Sequence, residues 1–216
     1  MAATTSASSR KLFEFDLEEC GRGELAGADE VGRGCLAGPI VAAAVVFDYG
    51  SMDVAAMTLL LEGLGDSKKL TPAARERLFP LIIRHASCFS LISLGNRTID
   101  EEGLHKTNLR ALCRSLEALS PCPPLAFVDG RQQIEDCLVT HRAIIRGDSK
   151  SACIAAASIL AKVFRDRLMA ELHERFPEYG FKGNVGYGSL AHREAIARHG
   201  YSPLHRRSFN VNLPEN

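Results

Sequence analysis

The sequence predicts an α/β domain with a mixed central sheet flanked by helices and a helical and loop extension at its C-terminal end. Three observations predict it. Two apolar runs near the front, "GELAGADEV" (23–31) and "PIVAAAVVF" (39–47), are joined by a Gly-rich turn and read as an antiparallel hairpin. Further short strand patterns then alternate with helical ones, which is the signature of a mixed sheet with helices packed on it. From Gly180 onward the chain turns rich in Gly, His and Arg, so it reads as loop with one short helix near "LAHREAIARHG".

The elements follow in order. In "DSKKLTPAARERLFPLIIRHA", Thr71 is placed to cap a helix and Pro72 to occupy its first position, while Pro80 is expected to kink or end it. "CFSLISLG" reads as a strand. "TIDEEGLHKTNLRALCRSLEAL" is helical, with Thr98 and Glu101 as a capping box and Leu109, Leu112, Leu116 and Leu119 as its apolar stripe. "PPLAFVDG" and "HRAIIRGD" are short strands, each ending in an aspartate. The stretch Ser149–Phe176 is the clearest helix, with Leu160, Phe164, Leu168, Leu172 and Phe176 at its apolar positions and Pro177 as its stop.

Composition bounds the function. The 216 residues are 46% hydrophobic and 24% charged, ordinary values for a globular domain that builds its own core. Seven scattered cysteines without a C-x-x-C pair suggest neither a disulfide framework nor a zinc site, and reduced thiols in the cytoplasm are expected. No apolar run reaches the length of a membrane span. "MAATTSASSRK" lacks the apolar core of a secretory signal, and with "EFDLEEC" after it, residues 1–23 are expected to be a flexible tail. Net charge is zero but unevenly spread: 14 Lys/Arg against 19 Asp/Glu in residues 1–140, then 12 against 7 in residues 141–216. A basic face suits phosphates, and an acidic cluster suits metal.

The acids carry the chemistry. Three predicted strands end in carboxylates: Asp29-Glu30, Asp129 and Asp148. Singly each has an ordinary explanation, since Asp129-Gly130 could be a turn, Asp148 a helix cap and Glu30 a solvated strand end. If the strands are neighbours, four acids meet at one sheet edge and repel one another unless a cation neutralises them. Oxygen donors without Cys or His favour Mg²⁺ or Mn²⁺, and two such ions roughly 4 Å apart are the usual device for attack on a phosphodiester. Gly32-Arg33-Gly34 lets backbone approach a ligand and offers a guanidinium to phosphate. Gly32-x-Gly34-x-x-Ala37 also matches a dinucleotide fingerprint, but Pro39 and the β-branched run behind it predict a strand where that motif needs a helix. Lys68 and Lys69 could contact phosphate but more often such a pair is a solvated turn, Tyr187 between glycines reads as a ring free to stack on sugar or base, and Arg206 and Arg207 as contacts to backbone phosphates.

With these residues assembled, the chain resembles bacterial ribonuclease HII, the type 2 ribonuclease H. The resemblance rests on "GADEVGRGCLAGPIVAAAVVF", "DSKKLT", "FVDG", "GDSKSACIAAASILAKVFRDR" and "GYGSLAHREAIARHGYSPLHRRSF", in the family's order and covering nearly everything from residue 25 to 209. It implies a ribonuclease H-like catalytic domain over 24–216, with a substrate-binding extension from about 180. It also implies hydrolysis of the RNA strand of RNA–DNA hybrids, and incision 5′ of single ribonucleotides in duplex DNA by a two-metal mechanism leaving 3′-hydroxyl and 5′-phosphate ends. By resemblance, Asp29, Glu30, Asp129 and Asp148 are the metal-binding catalytic acids. Gly32, Arg33 and Gly34 sense the ribose 2′-hydroxyl and its phosphate, and Tyr187 packs on the deoxyribose beyond the junction. The expected partners are nucleic acids of those two kinds, with no membrane, and the expected state is a monomer. Cys35, Val185 and Ser189 depart from the family's usual proline, lysine and threonine. Asp166 also matches the family, but it lies about five turns into the long helix at ~1.5 Å per residue, too far from Asp148 to share an ion, and reads as structural.

Overall fold

The computed structural model describes residues 2–131 and 133–213, with side chains from Ser9 onward; Met1, Gln132 and residues 214–216 of the expected tail and domain lie outside the described residues. Its sheet consists of β1 (Glu24–Val31), β2 (Ile40–Asp48), β3 (Cys88–Leu94), β4 (Ala126–Asp129) and β5 (His141–Ile144), in the order β3-β2-β1-β4-β5. β1 and β2 form the expected hairpin, with Asp29 opposite Ala43, and β3 pairs antiparallel with β2. β4 runs parallel to both β1 and β5, so the carboxyl ends of β1, β4 and β5 share one edge.

Both faces of the sheet are covered, which is why β2 is apolar at nearly every position. Val41, Ala43, Val45 and Phe47 point to one core, and Ile40, Ala42, Ala44 and Val46 to the other. The first core is closed by α1 (Ala2–Cys20), α2 (Val54–Leu60), α3 (Pro72–His85) and α6 (Ala152–Arg175). The second is closed by α4 (Asn96–Glu102) and α5 (Leu104–Glu117), through Leu112, Leu116 and Leu119 of the predicted stripe. A small third core joins the end of α6 to α7 (Phe181–Asn184) and α8 (Leu190–His199). Among the described residues no helix is long and apolar enough to cross a membrane.

Helix α6 lies against β1 with no space between backbones. A Cβ at Gly27 would fall inside the main chain of Cys153 and Ile154, and Ala152, Ala155, Ala156 and Ala157 supply the short side chains such an approach requires. Ser151 caps this helix through the Ile154 N–H.

Several elements differ from expectation. Residues 1–23 are read from sequence as a flexible tail, but α1 packs on the domain: Phe13 meets Phe47 at 5.9 Å, Phe15 meets Phe127 at 6.0 Å, and Asp16 accepts the Tyr49 hydroxyl at 2.7 Å and the Cys153 N–H at 2.9 Å. Its buried positions are Ser9, Leu12, Phe13 and Asp16, a helical spacing obscured because two of the four are polar. Pro80 does not end α3, since it sits on the exposed face beside exposed Glu76, while Leu78 and Ile82 anchor the buried side. Thr98 caps nothing: Gly103, at φ 84°, breaks the predicted helix into α4 and α5, and α4 starts after Gly95. On α6 the apolar stripe is displaced, with Phe164 36% exposed and Val163 and Met169 buried instead.

The contact at Gly27 sets a stability test. Gly27→Ala is expected to cost about 3 kcal/mol by overpacking, read as a fall in the urea midpoint, whereas Gly65→Ala, with open space around its Cβ position, leaves the midpoint nearly unchanged. Equal midpoints for the two variants would mean that α6 does not rest on β1 in this way.

Candidate active site

The shared strand edge brings the acids together. Asp29, near the end of β1, is 6% exposed, and Asp129 ends β4 in the neighbouring position. Asp148 does not end β5 as the sequence suggests; the strand stops at Ile144, and Asp148 lies on a 3₁₀ turn, Gly147–Ser149, that follows Arg146 at φ 56°. This turn is tied to the edge because the Gly147 N–H donates to Asp129 Oδ1 at 2.6 Å. Burial pushes the Asp29 carboxyl up, and the neighbouring charges of Glu30 and Asp129 push it further. Glu30 is also raised by burial, offset in part by Arg33, whose guanidinium lies 3.2 Å from its Oε1. Asp148 is raised by burial and by the charges of Asp66 and Asp129. Among the described residues no three of these carboxylates bring oxygens within 4.8 Å of one another. Arg33 pairs with Glu30, and the Gly147 N–H occupies Asp129 Oδ1.

Beside the acids runs the loop from Gly32 to Pro39, and two buried arginines hold it. Arg206 donates to the carbonyls of Gly32 at 2.6 Å, Arg33 at 2.9 Å and Gly38 at 2.9 Å. Arg165, on α6, donates to Pro39 at 2.9 Å, Ala37 at 3.1 Å and Val185 at 2.8 Å. Gly32, at φ 95°, has no room for a Cβ against Arg165, whereas the space around Gly34 is open. The loop leads into β2 and opens no helix, which removes the dinucleotide reading. Arg206, expected on phosphates, is instead fully buried in this clamp, and burial lowers its pKa to about 10.

Tyr187 stands across the same cleft, 40% exposed, paired as a β-bridge with Cys35. A cavity of about 280 Å³ lies between it and Glu30, lined also by Lys68, Ser158 and Lys162. Its carbonyl is fixed by a buried relay. The Ser202 N–H donates to His205 Nδ1 at 2.9 Å, so His205 carries its proton on Nε2 and donates to His192 Nε2 at 3.0 Å. His192 in turn donates from Nδ1 to the Tyr187 carbonyl at 2.8 Å. Ser189, in place of the threonine usual in the resembling family, caps α8 through the His192 N–H at 3.3 Å, a bond either hydroxyl makes.

The model of one protein family, Ribonuclease HII, matches residues 26–212. The chain belongs to the ribonuclease HII family. It is 46% identical to the ribonuclease HII of Chlorobium luteolum over 186 residues, 86% of this chain and 88% of that one. With the ribonuclease HII of Chloroflexus aurantiacus it shares 46% identity over 197 residues, 91% of each. Among solved structures, the crystal structure of the ribonuclease H2 from Pyrococcus horikoshii superposes with a TM-score of 0.74 at 29% identity, covering 87% of this chain and 94% of that one. As a ribonuclease HII this chain is a metal-dependent endoribonuclease of ribonuclease H-like fold, hydrolysing RNA strands in RNA–DNA hybrids. The donor set suits a divalent cation: Asp29 is buried beside two other acids, and its own hydrogen bonds come from the Glu30 N–H at 2.8 Å and the Ser158 hydroxyl, neither of which neutralises charge. Carboxylate oxygens without thiol or imidazole select a hard ion.

Some residues of this ribonuclease HII site are not evident from sequence. Lys68 is no mere solvated turn, because its charge reaches Glu30, Asp148 and Tyr187. Asp66, two residues earlier, is a further acid beside Asp148. Their loop is tied down by Arg75, which donates to the Ser67 carbonyl at 2.8 Å and the Leu70 carbonyl at 2.6 Å. The signals in the sequence were the place of "DSKKLT" among the segments shared with the resembling family and its position directly before a helix. Asp166, read from sequence as structural, pairs with Lys162 at 2.8 Å and lies 3.8 Å from Arg75. His192 and His205 read from sequence only as a His-rich tail.

The relay sets a pH dependence. Burial and then the adjacent His192 push His205 down to about 4, while an unfolded histidine titrates near about 6.5. The unfolded chain therefore takes up a proton that the folded one refuses, so this stability is fully present above about pH 6.5 and is lost as pH falls toward about 4. Urea unfolding at about pH 7.5 and about pH 5 should show the loss, and His205→Gln should shrink the difference between the two. A difference unchanged by the substitution would place the titrating group elsewhere.

Proposed function

We propose that this chain, besides degrading the RNA strand of hybrids, incises duplex DNA 5′ of single embedded ribonucleotides, leaving 3′-hydroxyl and 5′-phosphate ends. The observation that carries this reading is a cavity lined by Glu30, Lys68 and the exposed Tyr187, with the arginine-clamped glycine loop following Glu30 in the chain. Asp29, Glu30, Asp129 and Asp148 would hold two Mg²⁺ or Mn²⁺ ions, which when bound supply activation of water and charge stabilisation at the leaving 3′-oxygen.

The chain's own residues set the specificity. Gly34, with nothing near its Cβ position, leaves the loop backbone open to a sugar that carries a 2′-hydroxyl. Arg33 is 53% exposed on its side chain, so its guanidinium can turn from Glu30 to a phosphate as the acids gain cations. Tyr187 offers a ring face to the sugar on the other side of the junction, and the relay behind it keeps the carbonyl, and so the ring's origin, in place. Lys68 adds positive charge where the phosphate backbone would pass. A monomer working in a reducing cytoplasm fits the seven unpaired cysteines.

The test is a labelled DNA duplex with one ribonucleotide, incubated with Mg²⁺, Mn²⁺ or a chelator. A metal-dependent nick immediately 5′ of the ribonucleotide is expected, and cleavage confined to long RNA stretches would remove the junction assignment. Asp129→Asn should leave the circular dichroism spectrum intact and abolish the nick; turnover in that variant would overturn the assignment of the acids. Tyr187→Ala should lower junction incision by about tenfold, the weight of one stacking contact, with a smaller loss on continuous hybrid.

A further inference from the structure

Away from the cleft, two thiols and a carboxylate converge between α5 and the loop that joins β4 to β5. Cys113 and Glu117 are one turn apart on α5 and share a face of the helix. Cys137 comes from the loop, and the ligand atoms of the three all lie within 4.8 Å of one another, the only such group of Cys, His, Asp or Glu among the described residues.

The loop is built to hold this approach. The Leu138 N–H donates to Glu117 Oε1 at 3.2 Å, fastening the loop to the helix at the cluster itself. The His141 ring accepts the Ile134 N–H on Nε2 at 3.0 Å and donates from Nδ1 to the Val139 carbonyl at 2.8 Å, bracing the segment from within. Asp136, immediately before Cys137, sits at φ 60°, the left-handed region that Asp adopts more readily than most residues and that turns the chain toward α5. A groove of about 720 Å³ opens alongside, with Cys113 in its wall, so an ion has a path in.

We propose that Cys113, Cys137 and Glu117 form a site for a thiophilic divalent cation, Zn²⁺ by preference, separate from the acid edge. Two sulfur donors and one carboxylate select a borderline-soft ion over the hard ions of the cleft, and three protein ligands leave the fourth tetrahedral position to water. Binding converts both thiols to thiolates and releases two protons, so uptake strengthens as pH rises. Burial, Cys137 and Glu117 all push the Cys113 thiol up in the ion's absence, in keeping with donors brought together before their cation. The bound ion would fasten to α5 the loop that starts one residue after Asp129.

The experiment is a Co²⁺ titration of the reduced, metal-stripped full chain, followed by absorbance. Intense near-ultraviolet thiolate-to-cobalt charge transfer is expected, saturating at one ion and bleached by one equivalent of Zn²⁺. Cys113→Ser and Cys137→Ser should each abolish the band, with unchanged circular dichroism as the folding control. Asp129→Asn should keep it, since cobalt held by carboxylates has no such transition. No band in the reduced protein, a band that survives both serine variants, or formation of a Cys113–Cys137 disulfide in place of metal uptake would each overturn the site.

Discussion

Helix α6 rests on β1 at backbone contact, and the position of the cleft follows from that single approach. With Gly27 beneath Cys153 and Ile154, the start of α6 is held over β1, and the Gly147–Ser149 turn just before it sets Asp148 beside Asp129. Gly147 leaves no room either, since a Cβ there would crowd Ile154 and approach Asp129 Oδ1 at 3.3 Å. About 20 Å further along the same helix, at ~1.5 Å per residue, Arg165 arrives under the loop at Gly32. One rigid element thus places both an acid proposed to bind metal and a clamp on the loop proposed to meet substrate.

The buried charges are divided between two tasks. Arg75, Arg165 and Arg206 are each buried, and each directs its donors chiefly to loop carbonyls. The planar guanidinium, with several donors in a fixed fork, suits this use, because one side chain can satisfy carbonyls from different points of a loop. The acids at the sheet edge are consequently left with little cationic company: Arg33 and Lys68 at the cleft mouth act on Glu30, and Lys68 on Asp148. Buried carboxylates in that condition are costly, and the divalent ions proposed for this edge would relieve the cost while drawing the substrate's phosphate to the same place. The site is therefore assembled around a deficit of positive charge, with the arginines used as struts for the loops around it.

The C-terminal segment serves the same end by other means. Burial keeps His192 and His205 neutral, and their hydrogen bonds fix both tautomers, so their relay supports the Tyr187 backbone without adding charge to the cleft. Packing of Tyr179 and Phe181 around the two rings, with centroids 4.8 Å and 5.5 Å away, closes this third core. The loop-rich tail of the sequence is thus a folded wall of the cleft.

Much of this was determined by sequence alone. Short apolar runs bounded by turn residues identified β1 through β5, and β2, covered on both faces, is apolar at nearly every position; Thr71 and Pro72 marked the start of α3; and acids at the ends of strand patterns pointed to the sheet edge where Asp29 and Asp129 lie. The motif order from Gly27 to Phe209 named the family. Tertiary structure decided the rest. That α1 is packed, that Asp148 sits on a turn beyond β5, and that Arg206 faces carbonyls depend on contacts between residues over a hundred positions apart. Local pattern carries periodicity and caps, but whether a charged side chain meets water, phosphate or a buried carbonyl is settled only by what the fold sets against it.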